Sequence, residues 1–311
     1  DTDPGYERTY TYVVDGGGFG ASTFDPVVLA EIDLPNGQNY HFYYNAYGEL
    51  DKVTYPTGGY QRYQYGSVAT IGISSFPYGL GSRGMLSRWI SPSGSSSDEA
   101  QWTYSSGNNP LSVTAPNGTR SDTYLFQPQT YWTNQFGCQD GRMGLPIDER
   151  IYAPGPNGAM LRRTLIDYEQ SSQTYSRPSP GSGSYTAYRN ARPIKTVSLI
   201  LDTGGNALAA TTTTGYDATY QFSVGPDATA SSQYDFASVD QTTAQSGAIS
   251  SMPTGSLERS TQTTNLTGDA NYRNRNILGL PSLATIYDAN GNPVEQSTIS
   301  YDEGGQYALL N

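Results

Sequence analysis

The sequence predicts an all-β protein built from repeated β-hairpins that form a continuous coiled sheet, β-solenoid-like in organisation. Tyr contributes 27 residues, Gly 35 and Pro 19, and only 14% of the chain is charged. Aromatic residues favour strands, whereas Gly and Pro interrupt helices and mark turns. No segment has sustained helical periodicity. These observations together favour stacked hairpins over a helical or disordered chain.

A Pro-x-Gly turn followed by an aromatic pair recurs in the first part of the chain. The turns begin at Pro35, Pro56, Pro92 and Pro116. We expect their glycines to hold the turns: Gly37, Gly58, Gly94 and Gly118. The i, i+2 spacing of each aromatic pair puts both rings on one side of a strand. Stacking of successive hairpins then predicts an aromatic ladder, formed by Phe42, Tyr44, Tyr63, Tyr65, Trp102, Tyr104, Tyr124 and Phe126.

The apolar residues before these turns predict a β-bulge. Leu50 and Val53 have opposite parity along their strand, so both can face inward only if an extra residue intervenes. One bulge in each repeat would coil the sheet. The third turn lies in a longer stretch, Ser93 to Glu99, which we interpret as a longer hairpin loop.

A second pattern begins after about residue 130. A Leu-Pro or Arg-Pro step leads to a strand, a turn (Asp-x-x-Gly-Asn in two copies) and a strand that ends near a Tyr beside an Asp. We therefore divide the chain into repeats over 1–130 and a second type over 131–311, continuous with the first. The intervals 168–190 and 217–259 fit either long loops or polar strands. Without evident capping units, we expect a fragment of a longer chain.

These patterns resemble the YD repeat of the Rhs family, which bacterial toxin-complex shell proteins and teneurins share. Tyr44-Asn45, Gly48, Leu50, Val53 and Pro56-Thr57-Gly58 match that repeat in order. Tyr287-Asp288 through Asn292, followed by Tyr301-Asp302, matches its Tyr-Asp form. The resemblance implies a sheet ribbon that spirals into a hollow shell, which in some members encloses a toxin domain. The Asp-Pro-x-Gly surroundings of the family's self-cleaving region find no counterpart at the expected end.

The resemblance implies a non-catalytic structural scaffold, a segment of a secreted or cell-surface shell. Its partners would be other copies, the rest of a longer chain, an enclosed toxin domain or surface glycans. The alternative is an extracellular adhesin or fibre-forming protein that polymerises end to end or binds glycans. A carbohydrate-active enzyme is the least favoured interpretation.

Charge and hydropathy exclude two classes of partner. The formal net charge is −11, and only two of the 17 cationic residues, Lys52 and Lys195, are lysines. Such a chain offers no basic stripe for phosphate groups, so we expect no nucleic-acid partner. No apolar run approaches the roughly 18 residues that a membrane-spanning helix needs.

The sequence contains no convincing catalytic or metal-binding constellation. His41 is the only histidine, so a metal site or a Ser-His-Asp triad lacks partners. The adjacent carboxylates Asp98-Glu99, Asp148-Glu149 and Asp302-Glu303 would point to opposite faces of a strand. The Asp288 turn resembles the start of a calcium loop but has Ile299 where the closing Glu belongs. We predict no enzyme activity, no metal and no cofactor.

Three further features admit a structural or a functional interpretation. The tyrosines could stack on carbohydrate, although cross-strand packing explains their spacing better. Asn117 and Asn265 each begin an N-glycosylation pattern. Cys138 is the only cysteine and has just Arg142 nearby in sequence, so we expect a free, unreactive thiol.

Overall fold

Within the residues that the structure describes, sixteen strands form one large antiparallel sheet, and strands that are consecutive in the chain are neighbours in that sheet. This arrangement confirms the predicted all-β fold of repeated hairpins. The strands are β3 (Glu31–Asp33), β4 (Asn39–Tyr44), β5 (Leu50–Thr54), β6 (Tyr60–Val68), β7 (Ser82–Ser91), β8 (Ala100–Tyr104), β9 (Leu111–Thr114), β10 (Arg120–Leu125), β11 (Pro146–Tyr152), β12 (Met160–Ser176), β13 (Ser184–Leu201), β14 (Ala207–Tyr216), β15 (Ala228–Val239), β16 (Leu257–Asn265), β17 (Pro281–Tyr287) and β18 (Pro293–Thr298). A separate hairpin pairs β1 (Tyr10–Tyr12) with β2 (Ser22–Phe24).

The structure is a computed structural model. It describes residues 10–12, 22–24, 28–45, 48–68, 82–107, 109–127, 140–176, 184–202, 206–216, 228–239, 249, 254–266, 269–275, 277 and 279–301. The chain divides into two compact units. The first comprises 1–127 with 151–159, and the second comprises 128–150 with 160–311.

Three of the four Pro-x-Gly segments, those at Pro35, Pro56 and Pro116, form one type of tight hairpin turn. In the first copy the Leu34 amide donates to the Gln38 carbonyl at 2.8 Å, and the Gly37 amide donates to the Leu34 carbonyl at 3.0 Å. Residues 55–59 and 115–119 have the same pair of bonds. The glycines Gly37, Gly58, Gly94 and Gly118 all have φ between 79° and 87°. This is the left-handed conformation that a type I turn with a following bulge requires, and it favours Gly.

The Asp-x-x-Gly-Asn segment at 288–292 forms the same turn with different chemistry. The Asp288 amide donates to the Asn292 carbonyl at 2.9 Å, and the Gly291 amide donates to the Asp288 carbonyl at 3.1 Å. The Asp288 carboxylate also accepts the amides of Asn290 and Asn292 at 2.9 and 2.8 Å. Proline presets the first kind of turn, whereas a carboxylate stabilises the second. The two sequence patterns therefore encode one backbone geometry.

The predicted bulge between Leu50 and Val53 is confirmed. Tyr43 lies opposite Lys52, and Tyr44 lies opposite Leu50, so Asp51 is the extra residue. Similar irregularities recur between β6 and β7 and between β17 and β18. Each bulge increases the local twist of its strand.

The apolar core of the second unit lies on one face of three adjacent strands. Leu165 in β12 lies opposite Val197 in β13, and Leu199 lies opposite Ala209 in β14. All four side chains are buried, and Ile249 packs against them. In contrast, the buried residues described in the first unit include Ser87, Ser91 and Asp122 as well as apolar side chains.

Most of the described residues of the two Ser/Thr-rich intervals form strands. β12 extends to Ser176, β13 begins at Ser184, and β15 covers Ala228–Val239. The longer loop after Pro92 contains a 3-10 turn at Ser96–Asp98. One short helix, α1 (Ala270–Arg273), occurs between β16 and β17. Within the described residues, no helix is both long and apolar enough to cross a membrane.

Candidate functional site

A tyrosine hydroxyl closes the open end of several hairpins. The backbone carbonyl at this end lies beyond the last hydrogen bond between the two strands, so it needs a hydrogen-bond donor from elsewhere. In the first unit the Tyr44 hydroxyl donates to the Leu29 carbonyl at 2.8 Å. In the second unit three tyrosines donate to proline carbonyls. These tyrosine closures are Tyr168 to Pro146 at 2.8 Å, Tyr216 to Pro193 at 2.8 Å and Tyr301 to Pro281 at 3.0 Å.

Successive closures in the second unit are connected. Tyr168 donates to Pro146 and lies opposite Pro193 in the pairing of β12 with β13. The Pro193 carbonyl in turn accepts the Tyr216 hydroxyl. A line of alternating proline and tyrosine therefore joins β11, β12, β13 and β14. This line fixes the register of neighbouring hairpins at the end opposite their turns.

The spacing between proline and tyrosine in the sequence indicates these closures, although the prediction of an aromatic ladder does not use it. The tyrosine follows its proline by 22, 23 and 20 residues in the three copies. These intervals match one hairpin with its turn. The ladder prediction gives a role only to the ring of Tyr44, whereas its hydroxyl makes a defined hydrogen bond.

The register places the predicted ladder residues on both faces of the sheet. Tyr63 lies opposite Arg88, and Arg88 lies opposite Trp102, so these three side chains share a face. Tyr104 lies opposite Val113, which lies opposite Ser121. Tyr124 has the opposite parity from Ser121 and therefore lies on the other face. The prediction that all eight residues form one ladder is wrong in this respect.

An arginine lies between rings that the prediction had placed in one stack. Neighbouring strands are about 4.8 Å apart, so rings on β6 and β8 are separated by the intervening β7. The Arg88 guanidinium of β7 lies over the Trp102 ring at 4.3 Å. Tyr63 and Tyr65, which are neighbours on one strand, have ring centroids 6.3 Å apart. Burial raises the pKa of both tyrosines.

Other cations stack on rings in the same way. The contacts join Arg62 to Trp89 at 3.8 Å, Lys52 to Tyr60 at 4.2 Å, Arg120 to Tyr152 at 4.2 Å and Arg192 to Tyr216 at 5.3 Å. Such contacts supply roughly 0.5–1 kcal/mol each at exposed sites. These contacts therefore add to the stability of a sheet in which many of the buried side chains are polar.

Glu99 connects the long third loop to β6. The Arg62 guanidinium donates to both Glu99 carboxylate oxygens at 2.6 and 2.7 Å, and the Tyr60 hydroxyl donates at 2.5 Å. The Glu99 side chain is only 11% exposed. The hydrogen bonds from Arg62 and Tyr60 lower the pKa of Glu99 to about 2. The carboxylate is thus held ionised as a structural anchor.

Asp148 forms a second, buried ionic cluster in the second unit. The Arg163 guanidinium donates to Asp148 at 2.8 and 2.6 Å, and Arg150 donates at 3.0 and 2.6 Å. Burial alone would raise the pKa of Asp148, but the two guanidinium groups hold it below its usual range. Arg163 is 3% and Asp148 is 7% exposed, whereas the Arg150 side chain is 26% exposed, so the cluster lies at the edge of the buried region.

The remaining candidate residues are placed as follows. His41 faces Glu31 across the pairing of β4 with β3, with 3.7 Å between the Glu31 carboxylate and the His41 Nδ1. The carboxylate of Asp98 accepts from the Ser91 hydroxyl and the Ser93 amide, which lower the pKa of Asp98. Among the described residues, no group of three or more His, Cys, Asp or Glu side chains could hold a metal ion. The Asp288 loop is a hairpin turn.

Two sites of possible modification differ in exposure, and two candidates cannot be placed. Asn117 is exposed at a turn, where its side-chain oxygen accepts the Thr119 amide at 3.0 Å. Asn265 is half-buried at the end of β16. Cys138 and the pair Asp302-Glu303 lie outside the described residues.

Comparison with known proteins finds resemblance only among solved structures. No family model and no curated protein sequence matches this chain. A TcdB2-TccC3 structure without its hypervariable C-terminal region has a TM-score of 0.45 and 10% identity, over 84% of this chain and 17% of that one. Another TcdB2-TccC3 crystal structure has a TM-score of 0.44 and 11% identity, over 82% and 16%. The Photorhabdus luminescens Tc holotoxin pore has a TM-score of 0.41 and 10% identity, over 92% and 19%. The chain therefore spans less than a fifth of these chains.

Proposed function

We propose that this protein is a non-catalytic structural scaffold, a wall segment of a secreted or cell-surface shell of the Rhs type. The observation that carries the proposal is the order of the sheet, in which each strand pairs only with its neighbours in the chain. A sheet built in this way extends by adding hairpins and needs no long-range contact to close each one. The resemblance of the sequence to the YD repeat is the reason for proposing a shell of the Rhs type.

The repeated local devices support the same proposal. Each described hairpin turn has its own glycine or carboxylate, and several hairpins have a tyrosine closure at the other end. The best-defined ionic groups, Glu99 and Asp148, are occupied by arginine partners. These ion pairs connect segments that are separate in the chain and so stiffen the sheet. A shell of this kind could hold a toxin domain, which would be its cargo.

A second function, an adhesin or fibre, is favoured by the last strand. All six residues of β18 are exposed, and within the described residues β18 is the outermost strand of the sheet. An exposed edge strand can pair with another chain. Pairing through β18 would join copies end to end.

Negative-stain electron microscopy of the purified protein distinguishes these functions. A shell wall predicts discrete particles of uniform size with a stain-filled interior. Regular filaments would contradict the isolated shell and favour the fibre. Hydrolysis of chromogenic glycosides above the buffer rate, abolished by a single carboxylate substitution, would contradict a non-catalytic role.

A further inference from the structure

The first unit presents a surface that combines aromatic rings with a cation that makes no ion pair within the described residues. This cation–aromatic patch consists of Tyr43, Lys52, Tyr60, Arg62 and Trp89. Lys52 lies opposite Tyr43 in the pairing of β4 with β5 and opposite Arg62 in the pairing of β5 with β6. Arg62 lies opposite Trp89 in the pairing of β6 with β7. The register therefore puts these side chains on one face of four consecutive strands.

The two cations of the patch differ in how they are neutralised. Both Glu99 oxygens accept from Arg62, and Glu99 also accepts the Tyr60 hydroxyl. The Lys52 ammonium instead lies 4.2 Å from the Tyr60 ring centroid and 5.9 Å from that of Tyr43. In the described part of the chain it has no carboxylate within ion-pair distance, although the protein carries a net charge of −11.

Two further acids on the same face, besides Glu99, have partners of their own. Glu31 on β3 accepts from the Asn39 side chain at 2.5 Å and lies 3.7 Å from His41. Glu49, which follows the turn before β5, accepts two bonds from Arg83 at 2.9 and 3.0 Å. Within the described residues, the positive charge of Lys52 is therefore not neutralised by an ion pair.

Two side chains of the patch are partly exposed, so a ligand that lies flat on the sheet can contact them. Tyr43 is 42% exposed, and the Arg62 side chain is 39% exposed. Tyr60 is buried and its hydroxyl donates to Glu99, so the ring on which the Lys52 ammonium stacks is held in place. An exposed tyrosine offers an apolar ring face together with a polar hydroxyl.

We infer that the cation–aromatic patch binds an acidic polysaccharide, a chain of sugars that carry one carboxylate each. A sugar ring stacks on Tyr43 while its carboxylate pairs with the Lys52 ammonium. Phosphate recognition typically uses a bidentate guanidinium, and Arg62 is occupied by Glu99. A nucleic acid would need several cations along its backbone, which the patch lacks. The binding does not depend on whether the sheet forms a shell or a fibre.

Isothermal titration with oligogalacturonate, compared with its methyl ester, tests the inference. The two probes share one sugar backbone and differ in charge. We expect the acid to bind more tightly than the ester and its affinity to fall as salt rises. Equal affinity for the two probes, or binding of neither, would overturn the inference. Tighter binding of a single-stranded oligonucleotide would overturn it as well.

Matched variants locate the site. Lys52→Gln should weaken binding of the acid about threefold to fivefold and remove its advantage over the ester. Lys195→Gln is the control, because Lys195 is the only other lysine and donates to the Ile249 carbonyl in the second unit. Tyr43→Ala should weaken both probes by between about twofold and tenfold. Tyr188→Ala, at a tyrosine that is 40% exposed on β13, should leave both affinities unchanged.

Thermal melts of all four variants separate binding from folding. Lys52→Gln and Tyr43→Ala should melt within a few degrees of the unmodified protein, because Tyr43 is 42% exposed and Lys52→Gln removes only the contacts of one half-buried ammonium with two rings. If Lys52→Gln melts normally and still prefers the acid, the inference is wrong. If Lys195→Gln has the same loss as Lys52→Gln, the site lies elsewhere and the inference is equally wrong.

Discussion

Removal of one tyrosine hydroxyl should measure what a tyrosine closure contributes to stability. Tyr168→Phe keeps the ring and deletes the 2.8 Å bond to the Pro146 carbonyl. The group is half-buried, so the lost hydrogen bond and the unpaired carbonyl should together cost about 1–2 kcal/mol. Tyr216→Phe, which deletes the 2.8 Å bond to Pro193, should cost a similar amount.

The closures should be coupled where they share a partner. Tyr168 lies opposite Pro193, and Pro193 accepts from Tyr216, so the double variant should deviate from additivity by at least about 0.5 kcal/mol. Tyr301 bonds to Pro281 in a different hairpin. Its Tyr301→Phe substitution should add to Tyr168→Phe within about 0.5 kcal/mol.

Urea unfolding followed by far-ultraviolet circular dichroism provides the free energies. Tyr188→Phe is the matched control, because its hydroxyl makes no hydrogen bond within the described residues and the side chain is 40% exposed. If Tyr168→Phe unfolds at the same urea concentration as Tyr188→Phe, the closures contribute nothing and the reasoning fails. Hydrogen exchange at the open ends of the hairpins should increase in Tyr168→Phe and stay constant in the control.

Three further predictions concern a turn, an ionic anchor and a buried hydroxyl. Gly37→Ala should cost about 1–2 kcal/mol from backbone strain alone, because nothing lies within 4 Å of its added methyl group. Gly94→Ala should cost more in the same unfolding assay, since its methyl group would lie 2.5 Å from the Gly58 carbonyl oxygen. Glu99→Gln should destabilise the first unit by about 1.5–3 kcal/mol. The lowered pKa of Glu99 means that its contribution is fully present above about pH 4.5 and is lost as the pH falls towards about 2. Acid titrations of both proteins should therefore converge at low pH, and a constant difference would contradict the anchor role. Thr211→Val should leave stability unchanged or raise it by about 1 kcal/mol, because the Thr211 hydroxyl is buried and has no hydrogen-bond partner among the described residues. A lower melting temperature would contradict this.

The turns and strands were predictable because their signals are local. A left-handed residue after a type I turn favours Gly, so the spacing of Gly37, Gly58 and Gly118 revealed the turns. The parity of Leu50 and Val53 revealed a bulge for a similar reason, since side chains alternate along a strand. These features depend on a few neighbouring residues.

The side chains that share one face of the sheet could not be predicted. They depend on the register between strands, and the sequence alone does not specify that register. The intervening β7 places Arg88 between the rings of Tyr63 and Trp102, where we had expected direct stacking. The register also moves Tyr124 to the other face. A shift by one residue reverses every side chain, so even a correct strand assignment leaves the face undetermined.

The sequence by itself determined the hairpins, their turns and the all-β architecture, because Gly, Pro and Asp constrain the backbone within a few residues. Only the tertiary structure decided which distant groups meet. It brought Glu99 to Arg62, Tyr168 to Pro146 and Lys52 to Tyr60. These contacts require strands that are separated in the chain to align in space, and their energy is gained only after the sheet has formed. The candidate binding patch is therefore a property of the assembled sheet.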